Sequence, residues 1–398
     1  MSDETPPATG RRTVRLLQAT SFTSGLDRAS IAPLIVVLAK DLHESLDRVT
    51  LVATAYFLAY GLLQAVWGNV SDRFGRVRTM RLSLAIAALA CLGAAIAPGL
   101  ISLLVARTIA GAAFAASIPA AMVYIGDTVP LRERQGALTD LMTGTAVGTA
   151  AGTVFAAVVA QYLHWRFVFV FGAIAAAALT VLIATLPEPQ RAPAAPFRAA
   201  FREVTSRRIT LLILGLSMAE GFALLGFLVF FPATLQLGGA STSAAGAVTA
   251  AYGVSVMGFG FLVKTFGHRF SPATLITAGG LSAAATYTLM SLHRDLFTVL
   301  VASALLGASL PLMHSTLQTW ITESGGAQRA MAVSLFATTL FTGNALGAFV
   351  GGSLIAGGHV RTAFLAALAV SIPLTLVAAV SRQRHGPVIT ARETPVAL

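Results

Sequence analysis

Along most of the chain, apolar stretches of about twenty residues alternate with short connections that hold charge, glycine or proline. A helix needs a stretch of about that length to cross a hydrocarbon core roughly 30 Å thick. Twelve can be drawn, near 14 to 39, 49 to 70, 79 to 97, 100 to 124, 136 to 160 and 165 to 186, then near 209 to 233, 244 to 265, 272 to 291, 296 to 320, 328 to 353 and 360 to 380. Backbone groups in lipid find no water, so each stretch is expected to be a helix that satisfies its own hydrogen bonds, and no strand is required. With 56% hydrophobic residues, 11% charged and a mean hydropathy of +0.78, a water-soluble chain of 398 residues could not bury its apolar surface. The expected fold class is therefore an all-α membrane protein with twelve transmembrane helices.

A net charge of +11 would point to nucleic acid in a soluble protein, but here the basic residues cluster between apolar stretches and read as topology signals. Of the 27 Lys and Arg residues, 20 fall at the two termini and in the even-numbered connections. Lys40, Arg48, Arg166, Arg294 and Arg361 lie in the odd-numbered ones, and Arg28 and Arg107 inside the stretches themselves. Both termini are accordingly expected in the cytoplasm, with the chain multi-pass in the inner membrane of a cell. The predominance of Arg, 25 of the 27, fits a GC-rich bacterial genome. The first stretch holds Asp27 and Arg28 and is too long for the apolar part of a signal peptide, so it reads as the first span. Cys91 alone permits no intrachain disulfide.

The two halves of the chain superimpose at a nearly constant offset. Gly68, Phe74 and Gly75 correspond to Gly260, Phe266 and Gly267, and Pro119 to Pro311, each 192 residues on; Asp27 corresponds to Glu220 at 193. An acid thus stands midway along the first span of each half. Between the halves, Pro187, Pro189, Pro193 and Pro196 precede Arg198, Arg202, Arg207 and Arg208. The division expected is a six-helix bundle over 1–187, a cytoplasmic linker over 188–208 and a second six-helix bundle over 209–398. In the linker, Phe197, Phe201 and Val204 recur at helical spacing beside arginines, as in a short helix lying on the membrane surface; a solvated connection has the same composition. Parallel six-helix repeats are the architecture in which carriers place a site at midplane between two rocking bundles.

The connection after the second span reads Gly68-Asn69-Val70-Ser71-Asp72-Arg73-Phe74-Gly75-Arg76-Val77-Arg78, which resembles the signature loop of the major facilitator superfamily. Its glycines permit a tight turn, while Asp72 and the arginines can form charge-assisted bonds to helix ends. The resemblance implies the major facilitator fold, two pseudo-symmetric six-helix bundles, and a conformational latch built on Gly68, Asp72, Arg73, Gly75 and Arg76. The second-half copy, Gly260 to Arg269, has Lys264 where the first has Asp72, so an asymmetric latch is expected. Arg107, in Leu103-Leu104-Val105-Ala106-Arg107-Thr108-Ile109-Ala110-Gly111, resembles the fourth-helix motif of the twelve-helix drug:proton antiporters in that superfamily, with Ala110 where Gln is common. Gly144, Gly148 and Gly152, preceded by Gly136, resemble the antiporter motif of the fifth helix, with Thr149 in place of its Pro. Small residues at that spacing equally serve close helix approach, and Gly343, Gly347, Gly351 and Gly352 form a similar stripe. Trp165-Arg166-Phe167-Val168-Phe169 resembles an external-edge motif of these exporters, and Trp165 also suits an interfacial anchor.

An intramembrane Arg costs at least about 2.5 to 3.5 kcal/mol, so Arg107 is expected to pair with an acid, Asp27 being the candidate. Desolvation disfavours a carboxylate's charge, which fits Asp27, Arg107 and Glu220 for proton coupling; a permanent ion pair that fixes helix packing is the alternative for the first two. Tyr56, Tyr60, Gln64, His314, Gln318 and Asn344 are candidates for a substrate cavity, although such residues also form ordinary helix-helix hydrogen bonds. His314 follows Pro311 by three residues, where a kink can aim an imidazole that titrates near neutral pH. His293-Arg294-Asp295-Leu296 mimics a kinase catalytic loop, but Leu300 occupies the metal-binding position and no glycine-rich nucleotide loop accompanies it. Without a Walker loop, metal cluster or nucleophile elbow, neither an enzyme nor a cofactor is expected, and the energy source must be an ion gradient. The function expected is proton-coupled efflux, by alternating access, of a hydrophobic or cationic small molecule such as a drug. The alternatives are carriage of a sugar, amino acid or other metabolite, and a membrane sensor or assembly protein that does not transport. Expected partners are the substrate, protons and membrane lipids, not nucleic acid, with the chain acting as a monomer.

Overall fold

The computed structural model describes residues 10–189 and 197–385, and those residues form helices, turns and no strand. Twelve helices are long and apolar enough to span a bilayer. They are α1 (Arg11–Asp41), α2 (Leu46–Phe74), α3 (Arg76–Ala95), α4 (Leu100–Thr128), α5 (Arg132–Tyr162), α6 (Trp165–Ile183), α7 (Arg208–Leu237), α8 (Thr242–Arg269), α9 (Pro272–Leu292), α10 (Leu296–Ser324), α11 (Arg329–Ala356) and α12 (Val360–Arg384). Most outrun the apolar stretches of the sequence, because helical hydrogen bonding continues into polar turns, as at Arg132–Gln135 of α5, where hydropathy has already fallen. Two end early for a local reason. α3 stops at Ala95 before Pro98 and α6 at Ile183 before Pro187, since the residue ahead of a proline is pushed out of helical geometry.

Packing repeats between the halves. α1 lies against α5, α2 against α4 and α3 against α6; the counterparts α7–α11, α8–α10 and α9–α12 repeat the scheme. Contact between halves runs through α2 with α11 and α5 with α8, which exchange under the same pseudo-symmetry. Glycines make the close approaches possible where lipid offers no hydrophobic drive for helices to associate. A side chain at Gly111 would strike the Tyr56 carbonyl, and one at Gly307 the repeat-related Tyr252 carbonyl. At the seam between halves, a β-carbon on Gly61 would stand 2.8 Å from that of Phe341, and the Gly61 carbonyl accepts from the Thr338 hydroxyl at 2.9 Å.

The halves meet from mid-span to the face opposite the chain termini. There Gln236 Nε2 on α7 donates to the Pro33 carbonyl on α1 at 2.9 Å, and the Ser243 amide on α8 donates to Gln161 on α5 at 2.6 Å. On the face that carries the termini, Thr139, Asp140 and Thr143 of α5 and Gln318 and Thr319 of α10 are exposed within spans. Polar groups of that kind are not stable against hydrocarbon, so they mark a water-filled opening on the terminal face.

The linker contains a helix over Phe197–Ser206, whose Ala200 and Val204 are buried while the Phe197 and Phe201 rings stack 6.3 Å apart away from that contact. Pro193 and Pro196 lie outside the described residues. The kinase-like tetrapeptide has a structural role: Asp295 caps α10, accepting from the Thr298 hydroxyl at 2.7 Å and from the Phe297 and Thr298 amides at 3.0 Å. Those bonds, the hydroxyl's first, hold its carboxyl below the usual range.

Candidate functional site

Each half carries a buried acid at the middle of its first helix, paired with a base on its fourth. In the first half Asp27 and Arg107 form a two-pronged ion pair, Nη1 to Oδ1 at 2.7 Å and Nη2 to Oδ2 at 2.9 Å, and Nη2 also reaches the Asp27 carbonyl at 3.3 Å. The Cys91 thiol adds a 3.5 Å contact to Oδ1. The guanidinium lies between the Tyr56 and Phe169 rings, 4.6 and 4.8 Å from their centroids. Both charged side chains are at most 2% exposed. A bidentate, ring-flanked guanidinium is the arrangement in which Arg tolerates burial, because carboxylate and π-faces replace its water.

In the second half Glu220 pairs with His314, Oε2 to Nδ1 at 3.2 Å, and the imidazole packs 5.4 Å from the Phe336 ring. Both residues sit at distortions of their helices. Glu220 immediately precedes a π-helical turn over Gly221–Gly226, and His314 closes another over Leu310–His314, where Pro311 supplies no amide. This pair is less saturated than the first. His314 is 19% exposed in its side chain, and Glu220 Oε1, like the nearby buried Asn344 Oδ1, has no hydrogen-bond partner.

The loop from Gly68 to Arg78 is organised by one residue beyond its own motif. Gly75 has φ +108°, a conformation natural to glycine, and the Glu188 carboxylate occupies the space a side chain there would need. Glu188 accepts from the Val77 and Arg78 amides at 3.2 and 3.1 Å, capping the start of α3. Arg76 bonds Asp72 and, at 3.1 Å, Asp127 at the end of α4. Gly68 touches nothing within 4 Å. The second half is joined differently: Glu323, next to the end of α10 as Asp127 is next to the end of α4, pairs at 2.8 Å with Arg382 from the end of α12. Glu188 and Arg382 lie far from the motif in sequence, and no local pattern singles them out.

The glycines of α5 face α1. Side chains at Gly144, Gly148 and Gly152 would collide with the backbones of Gln18, Phe22 and Leu26, so this stripe sets the α1–α5 distance; Gly343 and Gly347 of α11 do the same against Met218 and Phe222 of α7. Gly136 has open space around it and takes no part.

Between the halves, at mid-depth, Arg28 points from α1 toward Tyr60 of α2, Thr149 of α5 and Phe341 of α11. Its terminal nitrogens lie 3.5 Å from the Tyr60 and Thr149 hydroxyls, and its guanidinium 5.6 Å from the Tyr60 and Phe341 ring centroids. Tyr252 of α8 lies within electrostatic reach of both Arg28 and Glu220. Tyr60 thus belongs to this junction, His314 and Asn344 lie beside Glu220 and the π-helical turn of α7, and Tyr56 belongs to the Asp27–Arg107 cluster. Gln64 is buried in α2 and Gln318 is exposed toward the terminal-face opening. Arg28 is absent from the candidates read in the sequence. The signal was present, since an intramembrane Arg requires a partner and Arg107 already claims the neighbouring acid.

Two pseudo-symmetric six-helix bundles, meeting over charged and aromatic side chains at mid-depth, make a multi-pass membrane protein. The family model for the Major Facilitator Superfamily matches residues 19–284 and 238–395, and the chain belongs to that family. It is similar to an uncharacterized MFS-type transporter YybF of Bacillus subtilis, 27% identical over 47% of this chain and 44% of that one. It is also similar to a lincomycin resistance protein of Streptomyces lincolnensis, 32% identical over 32% of this chain and 26% of that one. A D-xylose transporter of Levilactobacillus brevis is 30% identical over 42% of this chain and 37% of its own length. The chain thus spans less than half the length of these curated relatives. Among solved structures, a D-xylose–proton symporter superimposes with TM-score 0.77 at 17% identity, covering 92% of this chain and 96% of that one. A bacterial homolog of the human lysosomal transporter Spinster, inward-facing and occupied, gives 0.75 at 18% over 93% and 96%. These likenesses carry the fold, and the family to which the chain belongs is one of transporters.

Proposed function

We propose that this chain is a proton-coupled exporter of a hydrophobic small molecule, working by alternating access in a cell membrane with both termini in the cytoplasm. The observation that carries the reading is the pair of buried mid-span acids, Asp27 with Arg107 and Glu220 with His314, one on each side of the seam between halves. A proton taken up by either acid removes one partner's attraction and alters the balance between two packings of the halves. The pairs divide the work. Asp27, closed in by Arg107 and two rings, holds the first bundle together, while Glu220, with one free oxygen and a partly exposed partner, exchanges protons with the opening.

Asp72, Arg76 and Asp127 bind α2, α3 and α4 at the terminal face and serve as the latch of the first half. The energy suffices: one proton crossing about 100 mV releases about 2.3 kcal/mol, enough for roughly a 50-fold gradient of a neutral solute. The lincomycin resistance relative supports export of a drug-like molecule; the D-xylose relative supports a second reading, carriage of a sugar. The test is a compound panel in an efflux-deficient bacterium, followed by flux in proteoliposomes with an imposed pH gradient. Glu220→Gln is expected to abolish gradient-driven accumulation while leaving downhill exchange. Full gradient-driven accumulation by both Asp27→Asn and Glu220→Gln would defeat the coupling assignment.

A further inference from the structure

Arg28 is a cation at mid-depth for which the protein provides no anion. Among the described residues no Asp or Glu oxygen lies within 4.0 Å of its guanidinium, although Asp27, the adjacent residue, is fully engaged by Arg107. Its polar contacts are two neutral hydroxyls, Tyr60 and Thr149, both at the outer limit of a hydrogen bond at 3.5 Å. The two buried guanidiniums among the described residues each have a carboxylate, Arg107 with Asp27 and Arg382 with Glu323; Arg28 is part-buried, like Arg76, which has Asp72 and Asp127. A charge held in a low-dielectric site by hydroxyls alone is costly, and it is retained where something that comes and goes completes it.

We propose that Arg28 is the anchor for an anionic group of the transported molecule, and that this molecule is an amphipathic monoanion, an organic carboxylate with an apolar body. The inference rests on the transport reading above and reverses the expectation of a cationic substrate. One guanidinium, with the Tyr60 hydroxyl as a further donor, matches one negative charge; a phosphate dianion would leave half its charge bare at mid-membrane. Arg28 presents a planar fork of N–H donors that a carboxylate can accept in two parallel bonds. Tyr60 and Phe341 flank the guanidinium from opposite halves, their rings packed 4.6 Å apart, so a group bound to Arg28 stands where the two bundles meet. Thr149, standing where the antiporter motif has Pro, donates its hydroxyl proton to the Thr145 carbonyl at 2.9 Å and offers the Arg28 guanidinium a lone pair. A substrate bridging α1, α2, α5 and α11 at the seam has different contacts in each packing of the halves, as a carried molecule must.

The test uses the purified full-length chain in lipid nanodiscs, with amphipathic carboxylic acids each paired with its neutral amide. Thermal shift and displacement of a bound fluorescent acid give affinities, and proteoliposome flux gives transport. Acids are expected to bind at least roughly tenfold more tightly than their amides, a preference lost in Arg28→Gln and largely kept in Arg28→Lys. Equal binding of acid and amide, or an unchanged preference in Arg28→Gln with an unaltered melting temperature, would overturn the proposal. If acids are carried but Glu220→Gln leaves gradient-driven accumulation intact, the proton reading fails and the anion site stands. If cations are instead accumulated by a pH gradient, with Arg28→Gln unaffected, the reverse holds.

Discussion

At mid-membrane a charged side chain is decided by its nearest partners. Asp27 and Arg107 satisfy each other in two bonds, and neither has water to fall back on. Removing one leaves the other charged and buried, which costs about 3–5 kcal/mol. Arg107→Ala is therefore expected to lower the melting temperature in detergent far more than the double change Arg107→Ala with Asp27→Asn, which removes both charges; additive losses in that cycle would deny the pair its coupling. This pairing was legible from sequence, because an intramembrane Arg demands an acid and one stood at matching depth. Glu220 was legible through the repeat. Its bond to His314 was not, since it depends on two π-helical turns that rotate both side chains, and only Pro311 advertises one of them. Arg28 escaped notice because its surroundings come from four helices distant in sequence.

At the level of elements, glycine meant different things within one helix. Gly148 lies against the Phe22 carbonyl and Gly136 against nothing, although both belong to α5 and both resemble the same motif. Gly148→Ala should force α1 and α5 apart and cost about 1–3 kcal/mol, whereas Gly136→Ala should raise stability by about 0.5–1 kcal/mol through helix propensity alone. Thermal denaturation of the two variants measures this, and similar shifts would mean that the α1–α5 contact has slack. Hydropathy could place the spans and spacing could propose the stripe, but where the stripe finds a neighbour is fixed only by packing: its partners step from Leu26 to Phe22 to Gln18, and two turns further on, at Gly136, α1 has run out at Arg11. Helix ends were readable where proline stops them, at α3 and α6, and not where polar turns prolong them, as at α5.

For the molecule as a whole, the repeat foretold two matching bundles, and their mutual tilt could not be read from it, because one sequence serves every stage of a transport cycle. The halves are closed opposite the termini and open beside them. Gln161→Cys with Ser243→Cys, in a Cys91→Ser background, should be joined by a short thiol cross-linker across that closed face. Flux should then stop and return on cleavage of the linker; undiminished flux in the cross-linked protein would mean that α5 and α8 need not separate there. The segment joining the bundles is held at both ends. Glu188 fastens its beginning to the α3 amides of the first half, and Arg207 fastens its end to the Ser324 carbonyl of the second at 2.9 Å. The connection is thus tethered to both bundles, and the number of residues between its two fastenings sets a ceiling on how wide the mouth at that face can gape.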